Sequence, residues 1–150
     1  MQKFRNWNSE QEMKQKYDVL AVGAHPDDIE VAMGGTVARL QQQDHPVLIV
    51  DLTDGEPARH AEPGVRARQA AEAARILQVD RITLNLQDRY LVDDIATRLK
   101  LAALIRRYRP AWVFTAIGCQ IHPDHQAVTG IVESAVFYAR LPKWETLPGG

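Results

Sequence analysis

The fold is decided by a stretch near the start of the chain, residues 17–28, which reads YDVLAVGAHPDD. The apolar run at 17–22 predicts a buried β-strand, and it leads into the tetrapeptide HPDD at 25–28. A similar arrangement recurs later, where WVFTA at 112–116 predicts a second buried strand and HPDH follows at 122–125. Because the carboxyl ends of parallel strands meet at one edge of a sheet, both motifs are expected to face one crevice.

The hydrophobic pattern alternates between strand and helix along the whole chain. The predicted strands span residues 17–22, 46–52, 81–86 and 112–116, and the predicted helices span residues 29–43, 64–77, 93–108 and a segment beginning near 125. Repeated β-α units with continuously apolar strands are typical of a parallel sheet covered on both faces. The sequence therefore predicts an α/β fold, a Rossmann-like three-layer sandwich with a mainly parallel sheet and a metal site at the C-terminal ends of its strands.

Composition sets limits on domain number and location. A chain of 150 residues, 45% hydrophobic and 25% charged, fits one globular domain over residues 1–150, with a polar N-terminal extension at 1–16. That extension predicts neither a signal peptide nor a membrane span, and the single cysteine, Cys119, is compatible with a reducing cytoplasm. A net charge of -1 gives no basis for a nucleic-acid surface. The tail at 141–150 contains no further element, so we expect a C-terminal truncation; a homo-oligomer stays open.

The two motifs carry residues suited to a metal. His25 follows the first strand and Asp28 opens the next helix, so a turn between them can direct both side chains into one crevice. His125, at the start of the last predicted helix, is the expected third ligand. Imidazole nitrogen with carboxylate oxygen is a ligand set for Zn²⁺, and three protein ligands leave one coordination position open for chemistry.

Three further residues of the motifs have expected roles beside the metal. Asp27, between two expected ligands, is well placed to accept a proton from water. His122 lies at the rim and is the candidate to stabilise an oxyanion or donate a proton, and Asp124 is expected to orient a histidine from behind. The glycine pair at 34–35 is unfavourable within a helix, and we expect it to permit close approach of a substrate or a neighbouring element.

Other interpretations stay open at this point. One His-Pro-Asp turn is commonly a strand-to-helix turn with an aspartate cap, although two such turns after separate strands are hard to explain by capping. A nucleotide-binding module would need a Gly-x-Gly-x-x-Gly after the first strand, which this sequence does not have there. A metal phosphoesterase usually needs more ligands, often around two metals about 3.5–4 Å apart. A non-catalytic, metal-containing interaction protein is the more serious alternative.

Four motifs together resemble one known family. AHPDD at 24–28, MGGT at 33–36, LTDGE at 52–56 and HPDH at 122–125 are similar, in that order, to the PIG-L/LmbE-like zinc-dependent N-deacetylases. The resemblance implies a Rossmann-like fold, a catalytic Zn²⁺ with Fe²⁺ as the alternative, and hydrolysis of an N-acetyl group from an N-acetylglucosamine-type amino-sugar conjugate.

The resemblance also implies roles for individual residues. By the family pattern the ligands are His25, Asp28 and His125, the general base is Asp27, the acid or oxyanion partner is His122, and the residues near the substrate are Arg66 and Asp88. Two departures concern the substrate side. Gln69 stands where members commonly have a glutamate, and LQDRYL at 86–91 differs from the Pro-Asp-Gly form of bacillithiol-type members.

Overall fold

The computed structural model describes residues 17–57, 62–116 and 121–141. Its elements in chain order are β1 (Val19–Gly23), α1 (Asp28–Gln42), β2 (Val47–Thr53), α2 (Val65–Leu77), β3 (Asp80–Leu86), α3 (Ile95–Tyr108), β4 (Trp112–Thr115) and α4 (Pro123–Ala139). The predicted order and type of these elements are confirmed, with boundaries that shift by no more than two residues. The expectations for residues 1–16, Cys119 and the tail from 142 lie outside the described residues.

The four strands form one parallel sheet in the order β3-β2-β1-β4. Val19 of β1 lies opposite Val47 of β2 on one side and opposite Trp112 of β4 on the other. Since β4 pairs with β1, the segments that leave the carboxyl ends of these two strands begin side by side. Strand order therefore places the two His-Pro-Asp motifs at the same edge of the sheet.

Helices cover both faces of the sheet, as the predicted three-layer sandwich requires. Leu20 and Val22 of β1 pack into an apolar cluster with α3 and α4. Val19 and Ala21, which point the other way, pack with α1 into a second cluster that Leu77 of α2 also contacts. Every residue of β1 and β2 is buried, because these central strands are covered on both sides.

One expectation from the sequence was wrong, and another is met only in part. The strand at 112–116 is only partly buried: Trp112 is 47% and Phe114 40% exposed, because β4 is an edge of the described sheet while α1 packs on β1 and β2. At the glycine pair, a Cβ at Gly35 would meet no heavy atom of the described residues within 4 Å, so no neighbouring element there requires glycine, and approach of a substrate stays a prediction. The pair follows Met33, where the helix is kinked at φ -148°.

A buried ion cluster ties the sheet to α1. The guanidinium of Arg81 in β3 donates to both carboxylate oxygens of Asp51 in β2, over 2.6 and 2.9 Å, and it also binds Glu30 of α1. Asp51 is fully buried and Arg81 nearly so. Burial raises the pKa of Asp51, although the hydrogen bonds and charge of Arg81 oppose this rise.

Arg81→Met is expected to destabilise the fold strongly. It leaves the buried Asp51 carboxylate without its counter-charge, and breaking a buried pair in this way typically lowers the free energy of unfolding by about 3–5 kcal/mol. Urea unfolding followed by circular dichroism measures the loss. The double variant Arg81→Met/Asp51→Asn should recover part of it, and the exposed Arg75→Met should change little, since its Glu72 pair is solvated. Equal losses for Arg81→Met and Arg75→Met would contradict this assignment.

Candidate metal centre

The turn that leaves β1 is folded back on itself by Asp28. Asp28 Oδ2 accepts hydrogen bonds from the backbone N–H groups of Ala24 and His25, each over 2.9 Å. These bonds bring the His25 ring beside the Asp28 carboxylate, with Nδ1 and Oδ2 3.6 Å apart. The two expected ligands of the first motif therefore share one crevice because the turn itself holds them there.

His125 reaches the same crevice from the start of α4. Its Nε2 lies 3.2 Å from His25 Nδ1 and 3.0 Å from Asp28 Oδ1. Donor atoms around a tetrahedral Zn²⁺ at ordinary bond lengths are about 3.3 Å apart, so these separations suit one ion. The donor set of His25, Asp28 and His125 thus fits the metal that the sequence predicts.

The far side of the His25 ring faces two carboxylates. His25 Nε2 lies 3.0 Å from Asp88 Oδ1 and 3.1 Å from Asp124 Oδ2, so we assign the ring proton to Nε2. Asp124 is nearly fully buried and also accepts the backbone N–H groups of Arg89 and Leu91, over 2.7 and 3.3 Å. With Nε2 protonated, the Nδ1 lone pair is free to face Asp28 and His125. Carboxylates placed behind a ligating histidine commonly fix its tautomer in this way.

Two other groupings around His25 have metal-compatible spacing. They are His25 with His122 and His125, and His25 with Asp88 and Asp124. The second lies behind the ring, where the side chains of Asp88 and Asp124 are only 6% and 1% exposed. The crevice beside Nδ1 is more open, since Asp28 is 15% and His125 23% exposed. We therefore favour the Nδ1 side, which a small molecule can reach.

The electrostatics of the crevice favour a cation. Burial alone would lower the pKa of His25, but the hydrogen bond and charge of Asp28, together with Asp124 and Asp88, outweigh it and raise the pKa. Burial likewise raises the pKa of Asp28, yet the hydrogen bonds from His25 and the charges of His125 and His25 bring it below its ordinary value. The Asp28 carboxylate is therefore ionised at neutral pH, the state in which it binds a metal.

Asp27 does not act as a helix cap. It occupies the N-cap position of α1, but its side chain accepts no cap hydrogen bond, and its backbone lies at φ 125°, outside the usual regions for a residue with a side chain. Its side chain is 60% exposed, and its Oδ2 lies 3.1 Å from Arg66 Nη2. Capping, the ordinary explanation of such a turn, therefore does not account for Asp27.

His122, by contrast, does cap its helix. Its Nδ1 accepts the backbone N–H of Asp124 over 3.2 Å at the start of α4, which leaves the ring proton on Nε2. The ring lies against both other histidines, with centroids 4.8 Å from His25 and 4.9 Å from His125. An N–H donor is thus held beside His25 and His125.

The structure places the two expected substrate residues differently. Arg66 lies at the rim beside Asp27, with its side chain 27% exposed. Asp88 lies behind His25 and is nearly buried. No sequence signal indicated the amides of Arg89 and Leu91 that hold Asp124, because any residue except proline can supply a backbone N–H. The contact of Gly55 with Arg66 likewise had no signal in the sequence.

Fold and site together define a class: a parallel α/β protein with a candidate mononuclear metal centre at the carboxyl ends of its strands. The family model described as GlcNAc-PI de-N-acetylase, PIG-L, matches residues 20–136. The chain belongs to this family.

Curated proteins and solved structures include relatives of this chain. The chain is 30% identical over 137 residues to the diacetylchitobiose deacetylase of Thermococcus kodakarensis, covering 84% of this chain and 51% of that protein. It is 32% identical over 143 residues to a probable N-acetyl-alpha-D-glucosaminyl L-malate deacetylase 2 of Bacillus cereus, covering 85% and 63%. The crystal structure of the conserved protein TT1542 from Thermus thermophilus is 42% identical with a TM-score of 0.81, covering 85% of this chain and 58% of that one.

The chain thus spans only about half to two thirds of the length of these relatives. Across the described ranges, no helix is long and apolar enough to cross a bilayer.

Asp124→Asn is expected to weaken metal binding without unfolding the chain. The new amide must present its NH₂ either to the Leu91 N–H or to His25 Nε2 and the Arg89 N–H, where each now meets a carboxylate oxygen. Either orientation weakens the group that orients the His25 ring. Loss of such an outer partner typically lowers metal affinity about 10–100-fold, which competition with a chelator measures. The matched control is Asp94→Asn, which keeps an N-cap acceptor on α3. Unchanged affinity in Asp124→Asn would show that Asp124 does not position His25.

Proposed function

We propose that this chain is a metal-dependent N-deacetylase that removes the acetyl group from an N-acetylglucosamine-type amino-sugar conjugate. The observation that carries the proposal is the convergence of three side chains: His125 Nε2 lies 3.2 Å from His25 Nδ1 and 3.0 Å from Asp28 Oδ1, and His25 Nδ1 lies 3.6 Å from Asp28 Oδ2. These separations suit one Zn²⁺. Family membership and the named activities of the two curated relatives support the acetylated amino sugar as the substrate class.

Zn²⁺ is the proposed metal and Fe²⁺ the alternative. Two imidazoles and one carboxylate would hold the ion, and the open side of the crevice would face the substrate. When bound, the ion supplies Lewis acidity, which makes water a stronger acid near neutral pH and polarises the amide carbonyl.

Two side chains of the motifs have proposed chemical roles: Asp27 transfers protons, and His122 stabilises the oxyanion. Asp27, exposed at the mouth, accepts a proton from the water that adds to the acetyl carbon. His122 donates its Nε2–H to the oxyanion that develops on the acetyl oxygen, because its Nδ1 is occupied by the Asp124 amide. The C–N bond then breaks, the amine takes the proton that Asp27 accepted from water, and acetate and the free amino sugar leave.

Residues beyond the reacting groups complete the proposed site. Asp124 fixes the His25 ring from behind, and Asp88 shares that position. By the family resemblance, Arg66 at the rim and any part of Asp88 that the sugar can reach are the candidate contacts to the substrate. The single cysteine of the sequence supports the cytoplasm as the proposed location.

The experiment that tests this function measures metal content and acetate release on the same preparation. The substrates are diacetylchitobiose, N-acetylglucosaminyl malate and simple N-acetylglucosamine conjugates. About one Zn²⁺ per chain with acetate from at least one substrate is the expected result. Bound metal with no acetate from any of them would favour the non-catalytic interaction protein. Absence of bound metal after reconstitution would overturn the proposal.

A further inference from the structure

The conformation of Asp27 needs an external support. Its φ of 125° is one that residues with a side chain rarely adopt, and such conformations persist only where the surroundings enforce them. The helix that Asp27 precedes does not enforce it, since the side chain makes no cap hydrogen bond. Among the described residues, the hydrogen bond to this carboxylate comes from Arg66.

Arg66 makes hydrogen bonds both to the backbone before Asp27 and to the Asp27 side chain. Its Nη2 donates to the Pro26 carbonyl oxygen over 2.8 Å and to Asp27 Oδ2 over 3.1 Å. The Pro26 carbonyl belongs to the peptide group that precedes Asp27. A single nitrogen therefore restrains the peptide whose rotation sets φ of Asp27, and also the carboxylate that would take the proton.

The Arg66 side chain packs directly against Gly55. It has a φ of 70°, and a Cβ at this position would lie 2.6 Å from Arg66 Nε and 3.2 Å from Cδ and Cζ. Any side chain at 55 would displace the guanidinium. Nε is buried and has no hydrogen-bond partner among the described residues, so packing against Gly55 and the bonds of Nη2 hold the group.

Gly55 is itself tied to the strand that carries the first motif. Its N–H donates to Thr53 Oγ1 over 3.2 Å, and Thr53 Oγ1 donates to the Ala24 carbonyl oxygen over 3.0 Å. These two hydrogen bonds fix the turn after β2 relative to Ala24, the residue that precedes His25. Displacement of Arg66 by a side chain at 55 would leave this register and the donor set in place.

We propose that Arg66, seated against Gly55, is a positioning residue that holds the Asp27 carboxylate and its peptide in the orientation needed for proton transfer. The expected effect on kcat rests on the proposed function, whereas the expected effect on the conformation of Asp27 rests on geometry alone. Gly55 is required because it alone among residue types leaves the guanidinium its place and adopts the positive φ freely. A direct substrate contact by Arg66 makes a different prediction, so the two roles can be separated.

The kinetic test compares Gly55→Ala, Arg66→Ala and Arg66→Lys in the zinc-loaded chain. Misplacement of a reacting group by about 1 Å can cost about 100-fold, so Gly55→Ala and Arg66→Ala should lower kcat about 10–100-fold with KM within about threefold. Arg66→Lys, which keeps a donor and a charge, should recover part of kcat. The matched control is the exposed Arg68→Ala, on the same helix as Arg66. A rise in KM at unchanged kcat would assign Arg66 to substrate binding and overturn the positioning role.

A structural readout decides the inference independently of activity. Crystal structures of Gly55→Ala and Arg66→Ala should show Asp27 away from φ 125°, or its carboxylate in several rotamers, while His25, Asp28 and His125 keep their separations. An unchanged Asp27 in both variants would overturn the inference. If the unmodified chain releases no acetate from any substrate, the proposed function fails, but this structural comparison still decides whether Arg66 positions Asp27.

Discussion

Asp27→Asn is expected to retain bound metal and to lose turnover by at least ~100-fold. Asparagine has nearly the same shape, keeps an acceptor oxygen for Arg66, and is among the residues that tolerate positive φ, so the turn at φ 125° should survive. The amide cannot accept a proton from water. The change therefore removes the proposed base while it leaves His25 and Asp28, on either side, in place.

The measurement is acetate release at saturating substrate, with metal content determined on the same sample. Asp44→Asn is the matched control, since Asp44 is also exposed and has a positive φ of 58°, but it follows the other end of α1. Turnover within about threefold of the unmodified chain in Asp27→Asn would remove Asp27 from the role of base, because a general base usually contributes more than that.

His125→Ala is expected to abolish both metal binding and activity. The substitution removes the Nε2 that lies 3.2 Å from His25 Nδ1 and 3.0 Å from Asp28 Oδ1, and it leaves two protein donors. Loss of a direct ligand should weaken binding by more than the ~10–100-fold typical of an outer partner. Metal analysis after dialysis against a weak chelator is the measurement.

His125→Ala also distinguishes a metal bound on the Nδ1 side of His25 from one bound on the Nε2 side. A metal held by His25, Asp88 and Asp124 would stay bound in His125→Ala and would be lost in Asp88→Asn. A metal held on the Nδ1 side gives the opposite pair of results. His45→Ala serves as the control, because His45 pairs with Asp18 at the other end of the sheet and should leave metal content unchanged.

Much of the fold was predictable from local pattern. The alternation of apolar strands with helical stripes predicted eight elements in the correct order, because burial on both faces leaves continuous apolar runs such as VLIV at 47–50. The partial exposure of Trp112 and Phe114 was not predictable in the same way. Exposure at a sheet edge depends on strand order, which a short apolar run does not encode.

The candidate site was predictable as a set of residues but not as an arrangement. Two His-Pro-Asp turns after two strands predicted that His25, Asp28 and His125 lie close together, and their nearest contacts are 3.0–3.6 Å. Their role as metal ligands stays a prediction. The position of Asp88 behind His25 depends on a loop in which Arg89 has a φ of 67°. A positive φ at an arginine is imposed by its surroundings, and the residue type does not indicate it.

The candidate metal-binding turns, the α/β class and the family follow from residue types and their spacing, since strand runs, turn chemistry and ligand chemistry are local properties. The order of the strands determines which side chains from distant parts of the chain lie next to one another. It brings β4 beside β1, and so places His125 against His25 Nδ1 and Asp124 against Nε2. It also lets Arg66, 39 residues from Asp27, pack on Gly55 and reach that carboxylate. These contacts arise from packing between distant segments, whose energy depends on the whole fold rather than on the residues adjacent in the chain.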